Sequence, residues 1–556
     1  MFSPKLAVTI YSFSSEQPQC RTGVDNCLPK NSQCERLIMQ TAIPAPGTTS
    51  WCRRLLLATA ALGLLLAFGF AQTASAQNVT TACTPTSLCL DNNYFVTGDY
   101  VVGGAVLNGA FVNGLQMGTI MIPDPAQPLP PKFTNVPAGA DIVAAFLYWQ
   151  TVESTNQGAI TGQVGSFNNY PITGTVLGNP NAPTSWSSGG CSGNSSGSKT
   201  IRTYRADVRP ILPLDANGNI LTPNAVTPGV YNVGLVESGK TNGNGVPITL
   251  GASLVIIWRV LSPAMPLNSI IIYDGSAAPS NTASTITQPM VGFYQAAASP
   301  MAKITHIVGN GQTNKSEIVS FNDTTLPSLY THPPLNPPFP GTYNGSWDNV
   351  TWTGDNSPIN TLVHAGDFTE TTKVTPTDTN GNCIDWGAII FSTIVQDSDG
   401  DGLLDAWEDN QGYIDAKNGQ WVALPGAYKY VKDIFAEVDY LSNLDGSAGT
   451  YLHSHLPQRA ALDMVGAAFA NAPVPAAAGC APPHVCSGIN VHFDLGPGIY
   501  QGQGDPYVIP YPNGAPLAGP PGVPTFPGDP DDVPEDDGGL EEPGDPDELL
   551  GCPGEP

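Results

Sequence analysis

The chain has 556 residues, 41% hydrophobic and only 12% charged, with 60 Gly and 54 Pro. That length excludes one small domain, the hydrophobic share excludes disorder throughout, and the glycine and proline load excludes a fold of long helices. A net charge of −26 repels phosphate backbones, which sets nucleic acid aside as a partner and favours divalent cations.

Taken in chain order, the first predicted element is a leader. Arg53 and Arg54 precede the apolar run Leu55 to Phe70, and Ala74-Ser75-Ala76 follows. A basic start, a short apolar core and two small residues at cleavage spacing make a secretory signal, too short for a comfortable membrane span. Met39 is then the more sensible start, with residues 1–38 as an extension. Cleavage after Ala76 removes six basic and three acidic residues, which takes the net charge from −26 to −29. No long apolar segment follows, so no membrane span is expected after signal cleavage, and the expected location is secreted or cell-surface.

Residues 77–395 read as a β-sandwich region. Ile142–Trp149, Ser253–Val260, Ser269–Tyr273, Met290–Tyr294, Lys303–Val308 and Gly387–Val395 are β-branched or aromatic runs between Gly, Asn, Pro and Ser clusters. Leu254 to Trp258 and Ile270 to Tyr273 are apolar at every position, as central strands of packed sheets are. This half resembles the β-rich modules of bacterial surface and exported proteins, which implies an adhesive or scaffolding role with polysaccharide or a cell-surface partner as ligand. Tyr148 and Trp149 are read either as sugar-stacking aromatics or as core.

Residues 396–412 hold the sharpest motif. Asp397-Ser-Asp399-Gly-Asp401-Gly402-Leu403-Leu-Asp405-Ala-Trp-Glu408 places oxygen donors at positions 1, 3, 5, 9 and 12, a glycine at the turn of position 6, and the Leu403 carbonyl at position 7. Six to eight oxygens at ~2.4 Å suit a hard cation, so the predicted cofactor is Ca2+, held by Asp397, Asp399, Asp401, Leu403, Asp405 and Glu408. The loop looks like those of EF-hands, dockerins and thrombospondin type 3 repeats, although a strand rather than a helix is expected before it. Asp215-Ala-Asn217-Gly-Asn219 and Asp378-Thr-Asn380-Gly-Asn382 are read as turns.

Residues 413–500 change grammar to a small α/β unit. Lys432–Tyr440 reads as a strand, Pro457–Asn471 as a helix with Leu462, Val465 and Phe469 on one face, and Gly488–Leu495 as an alternating strand, together a βαβ arrangement. Residues 501–556 are rich in Pro and Gly, with twelve acidic residues and no basic one from Asp529 onward, and are expected to be a disordered tail. Cys83/Cys89 and Cys480/Cys486 share one spacing and are read as local disulfides of an exported protein.

The stretch Lys432–Leu495 resembles the region preceding the active site of secreted bacterial zincin-like metalloproteases, on Lys432-Asp-Ile-Phe-Ala-Glu-Val-Asp-Tyr440, His453-Ser-His455 and Gly488-Ile-Asn-Val-His-Phe-Asp-Leu-Gly496. That resemblance implies a zincin-like βαβ scaffold with an acidic calcium loop just upstream. Zinc chemistry needs H-E-x-x-H, and the chain has none, so no zinc ligand carries over. A non-standard site from His453, His455 and His492 with Glu437, Asp439 or Asp494 is the alternative, as is a truncated protease. The sequence is read as carrying no nucleophile elbow, P-loop or dinucleotide fingerprint. Six Asn-x-Ser/Thr sequons, at Asn78, Asn194, Asn314, Asn322, Asn344 and Asn349, are read as surface loops. The expectation is a mainly β protein, non-enzymatic, in which calcium clamps the junction of two folded parts.

Overall fold

The computed structural model describes residues 87–509 apart from 130, 155–159, 179–183, 186–198, 239–245, 263–264, 280–283, 344, 355–356, 378–383, 439, 441, 445–450, 455 and 497–505. The leader, Cys83, the Asp378 turn and the acidic tail lie outside the described residues.

The protein is mainly β, with sheets packed in sandwich-like and barrel-like fashion. An eleven-stranded antiparallel sheet runs through Tyr170–Thr173, Val164–Phe167, Gly229–Val236, Leu115–Ile122, Gly98–Val106, Ile248–Arg259, Asp141–Ser154, Lys199–Asp207 and Thr175–Val176, with two short strands beside this path. A five-stranded sheet orders Cys89–Val96, Asn268–Ala277, Asp385–Ile394, Ala302–Gly309 and Trp347–Trp352. A four-stranded sheet orders Ile286–Met290, Glu370–Pro376, Glu317–Phe321 and Thr324–Thr325.

The layering follows from strand alternation. Ile270 and Ile272 enter the core that the five-stranded sheet shares with the large one, where they meet Val255 and Ile257. Ile271 and Tyr273, one position out of step, enter the core shared with the four-stranded sheet, beside Val319 and Phe321. Leu254, Ile256 and Trp149 point to the far face of the large sheet, where it curls so that Ile120, Phe167 and Val233 close over them. A run that is apolar at every position is thus buried on both faces, because period two sends neighbours to opposite layers.

Five of the six predicted strands lie in or across observed ones. The exception is Met290–Tyr294: its strand, Ile286–Met290, ends where that run begins. Gly292 at φ +98° and Tyr294 at φ +63° turn the chain, which extended backbone does not allow. Tyr148 and Trp149 are both fully buried, so neither stacks on a sugar. Asn349 is fully buried in the Trp347–Trp352 strand, so that sequon is a structural position rather than a surface loop, whereas Asn322 lies in the turn between Glu317–Phe321 and Thr324–Thr325 and donates to Leu362 O and to the Glu370 carboxylate. Asp215 does head a turn, accepting from the backbone N–H groups of Asn217 and Asn219 at 2.8 and 2.9 Å.

Beyond Ile394 the elements are small. A five-residue helix, Asp405–Asp409, is followed by the hairpin Gly412–Ile414 with Trp421–Ala423. Strand Asp433–Glu437 pairs in parallel with Asn490–Asp494, and helix Arg459–Ala470 lies between them in sequence. Leu462 of that helix joins Val491, Phe493 and Val508 in a small core. Cys480 and Cys486 form a disulfide.

Candidate metal centre

The loop leaves the five-stranded sheet at Ile394 and ends on the short helix Asp405–Asp409. Trp407 anchors that helix: it stacks on Tyr413 and meets Phe95 and Tyr294 edge-on, with ring centroids 4.1, 5.0 and 5.0 Å away. Val395 and Leu404 complete the same apolar cluster. Position 12 is therefore delivered by a helix bolted to the β region.

Inside the loop the backbone is wound about its own aspartates. Asp397 accepts from the N–H groups of Gly400 and Gly402 at 2.7 and 3.1 Å, Asp399 from that of Asp401 at 3.2 Å, and Asp401 from that of Leu403 at 2.7 Å. Gly400 at φ +74° and Gly402 at φ +102° take the left-handed turns this winding needs.

This winding brings carboxylates together in two overlapping groups. One oxygen each from Asp397, Asp399 and Asp401 lie within 4.8 Å of one another, and so do one each from Asp401, Glu408 and Asp433. Oxygens on opposite sides of a calcium ion with bonds of ~2.4 Å stand about 4.8 Å apart, so both spans suit cation coordination. Four of the predicted ligands, Asp397, Asp399, Asp401 and Glu408, are thereby assembled. Leu403 serves the turn through its N–H. Asp405 stands apart, with both oxygens on Ser398, accepting from its N–H and its hydroxyl at 2.7 Å each.

Asp433 is the member that sequence reasoning missed. It opens the strand 25 residues beyond Glu408, is 4% exposed, and donates its own N–H to Asp401 Oδ2 at 2.6 Å. Its signal was a charged residue at the head of a strand whose next position, Ile434, is apolar, which asks for a buried partner. Beside it Lys432 donates Nζ to the carbonyl of Gly400 at 2.7 Å and to that of Asp399.

The carboxylates have too few donors for their charge. Glu408 is 1% exposed and neither of its carboxylate oxygens has a hydrogen-bond partner, and Asp399 Oδ2 is likewise buried without one. Burial, then the charge of Asp401 and the other acids, pushes Glu408 up to about 10. Burial, then Asp399, raises Asp401 to about 8, and burial, then Asp397, raises Asp399 to about 6. An all-oxygen donor set with a buried, unpartnered carboxylate fits a hard divalent cation.

Among the described residues no such assembly forms from the zincin-like candidates. His492 Nε2 is 2.6 Å from Asp433 Oδ1 and its ring stacks on Phe435, which ties it to the loop side of the strand pair. Asp439 and His455, and the side chain of His453, lie outside the described residues. Two short spacings in the sequence do match other signatures. Gly193-Asn-Ser195-Ser-Gly197 has the spacing of a nucleophile elbow, but it sits in a Ser/Gly-rich stretch with no apolar strand before it and lies outside the described residues. Gly234 to Thr241 has the spacing of a P-loop. Gly234 and Leu235, however, are paired inside an antiparallel strand and buried. Among the described residues the next element is the strand Ile248–Arg259 rather than a phosphate-binding helix.

No protein-family model matches the chain, and no curated protein matches it. Among solved structures, a cryo-EM structure of the Sputnik virophage covers 55% of this chain and 85% of its own at 9% identity and TM-score 0.14. A structure of infectious bursal disease virus, Gt strain, covers 54% of this chain and 69% of its own at 12% identity and TM-score 0.14. Likenesses this slight establish nothing about the chain.

Proposed function

We propose that this is an exported, calcium-binding structural protein in which a calcium ion clamps the C-terminal α/β segment to the β region. The observation that carries the reading is Glu408: buried, without a hydrogen-bond partner, and facing Asp401 and Asp433. Removing several carboxylates from water without donors is costly, and a divalent cation neutralises them where protons otherwise must. Asp433 gives the clamp its direction. It comes from the parallel strand pair, whereas Glu408 rides on a helix held by Phe95, Tyr294 and Trp407. One ion bound to both ties the two together.

Export is supported by the basic start, apolar core and Ala-Ser-Ala exit at residues 53–76. The likeness to zincin-like proteases is read as scaffold, because His492 is engaged by Asp433 and the sequence has no H-E-x-x-H.

Extracellular calcium modules bind with Kd of about 0.1–1 mM, and at ten times Kd the ion adds about 1.4 kcal/mol to folding stability. Isothermal titration of the purified mature chain should show binding of that strength, and Glu408→Gln should abolish it. Unchanged binding in that variant would sink the reading.

A further inference from the structure

Asp433 does not reach the loop carboxylates unaided. Its Oδ2 accepts from the N–H of Tyr428 at 2.8 Å, its Oδ1 meets His492 Nε2 at 2.6 Å, and its backbone N–H holds Asp401. The side chain is held from two directions and the backbone from a third, with the carboxylate near Glu408 and Asp401. His492 comes from the neighbouring parallel strand, where it is the register partner of Phe435. Its ring lies on Phe435 at 4.3 Å between centroids and 13° between planes, and Phe435 packs on the Val395, Leu404 and Trp407 cluster. Gly426 approaches the ring closely; a Cβ there would stand 3.1 Å from the imidazole.

From this geometry we infer that His492 is a positioning residue for the metal site, and that through it calcium occupancy orders the Asn490–Asp494 strand. The inference rests on the calcium reading above. An imidazole N–H on a carboxylate ligand fixes which oxygen faces the ion and raises the cost of swinging the carboxylate away, and loss of such a partner weakens metal sites by about 10–100-fold. The coupling also runs outward. An ion that fixes Asp433 fixes the acceptor of His492, and with it a strand that also meets the Asp433–Glu437 strand, the helix Arg459–Ala470 and, through Phe493, the backbone at Tyr507 and Ile509. Beside the backbone ladder between the two strands, the site thus reports to the far side of the α/β segment through the Asp433–His492 side-chain hydrogen bond.

The test uses the mature chain, wild type, His492→Phe and His492→Gln, with calcium titration and hydrogen exchange read on peptides covering 397–408 and 490–494. Phe keeps the ring on Phe435 and loses the N–H; Gln keeps a donor. In wild type, calcium should slow exchange in both peptides. His492→Phe should bind about tenfold more weakly and protect only 397–408, and His492→Gln should recover most of the affinity. Equal affinity and equal protection of 490–494 in His492→Phe overturn the role of His492 while leaving the calcium reading intact. Should the Phe variant not fold, the wild-type exchange decides: protection confined to 397–408 overturns the coupling. A wild-type chain that binds no calcium defeats both readings at once.

Discussion

Glu153 in the β region and Glu408 beside the loop are each 1% exposed, yet their surroundings are opposite. Glu153 accepts from Thr151 Oγ1 at 2.6 Å, from the N–H groups of Thr161 and Gly162 at 3.0 Å each, from Thr161 Oγ1 at 3.2 Å, and from the Tyr204 hydroxyl. Asp385, fully buried, is held by Gln150 Nε2 at 2.6 Å and by the Ser276 hydroxyl. Asp274 meets Arg205 at 2.6 Å and the Tyr148 hydroxyl at 3.1 Å. Glu408 faces other carboxylates instead. A buried acid ringed by donors is a finished piece of architecture; a buried acid ringed by acids has a counterion still to come. In the β region Glu370 approaches the loop's condition. One of its oxygens takes Asn322 Nδ2, the other has no partner, and burial pushes it up to about 7.

The largest effects should separate these two classes. Glu153→Leu leaves buried N–H and O–H donors without an acceptor, which should cost about 3–5 kcal/mol. Urea unfolding should show the same loss in calcium and in chelator. Glu408→Gln should do the reverse in chelator, raising stability because a buried acid no longer has to take up a proton on folding, while removing the gain that calcium is proposed to give the parent. Should Glu408→Gln destabilise the calcium-free chain as Glu153→Leu does, the two acids are alike and the contrast collapses. Trp407→Ala comes next. Truncating a buried tryptophan costs about 3–5 kcal/mol where the whole protein unfolds as one, and here it should also weaken calcium binding, since the helix that delivers Glu408 loses its anchor on Phe95 and Tyr294.

What the sequence revealed divides along the same line. The runs Leu254–Trp258 and Ile270–Tyr273 announce doubly buried strands, because an apolar side chain at every position has no solvent face to occupy. The loop spacing announces Asp397, Asp399, Asp401 and Glu408, because their partners lie within twelve residues. The curl of the large sheet was not legible: Ala105 pairs with Ile120 and Val106 with Thr119 at a corner that no local pattern marks. Nor was Asp433, whose place depends on how a later strand docks. The burial of Asn349 was hidden too, since a sequon records which residues are adjacent and not which layer receives them.

Acidity sharpens the contrast by a smaller margin. Without metal, Asp399, Asp401 and Glu408 sit at about 6, 8 and 10, above the ordinary 3.8 for Asp and 4.5 for Glu. A folded-state value above the unfolded one means that the folded chain holds extra protons between the two. Calcium-free stability from these groups is therefore present at low pH and lost as pH rises from about 4 through about 10, the value for Glu408. On the proposed reading, calcium takes the place of those protons. The melting temperature in excess calcium minus that in chelator should then be small near pH 5 and widen steadily toward about pH 10. The subtraction removes acids elsewhere in the chain that titrate equally in both. A gap that is flat across this range would mean that the loop carboxylates are not where calcium acts.

The smallest effect concerns Asp405, which lies outside the two carboxylate groups of the loop. Position 9 of the loop predicts a ligand, direct or through water. In the folded chain this carboxylate instead caps the turn at Ser398, taking its N–H and its hydroxyl at 2.7 Å each. Asp405→Asn keeps a carbonyl oxygen to accept the Ser398 N–H and gives up one negative charge. If Asp405 serves the turn, that exchange should leave the calcium Kd within about threefold, or ~0.6 kcal/mol. If the side chain instead swings to the ion on binding, the loss should reach about tenfold or more. Asp405→Ala distinguishes the roles from the other side. A turn-holding carboxylate should cost about 1 kcal/mol when removed even in chelator. A carboxylate that serves only the ion should, in chelator, stabilise the chain slightly by lowering the crowding of negative charge around Glu408.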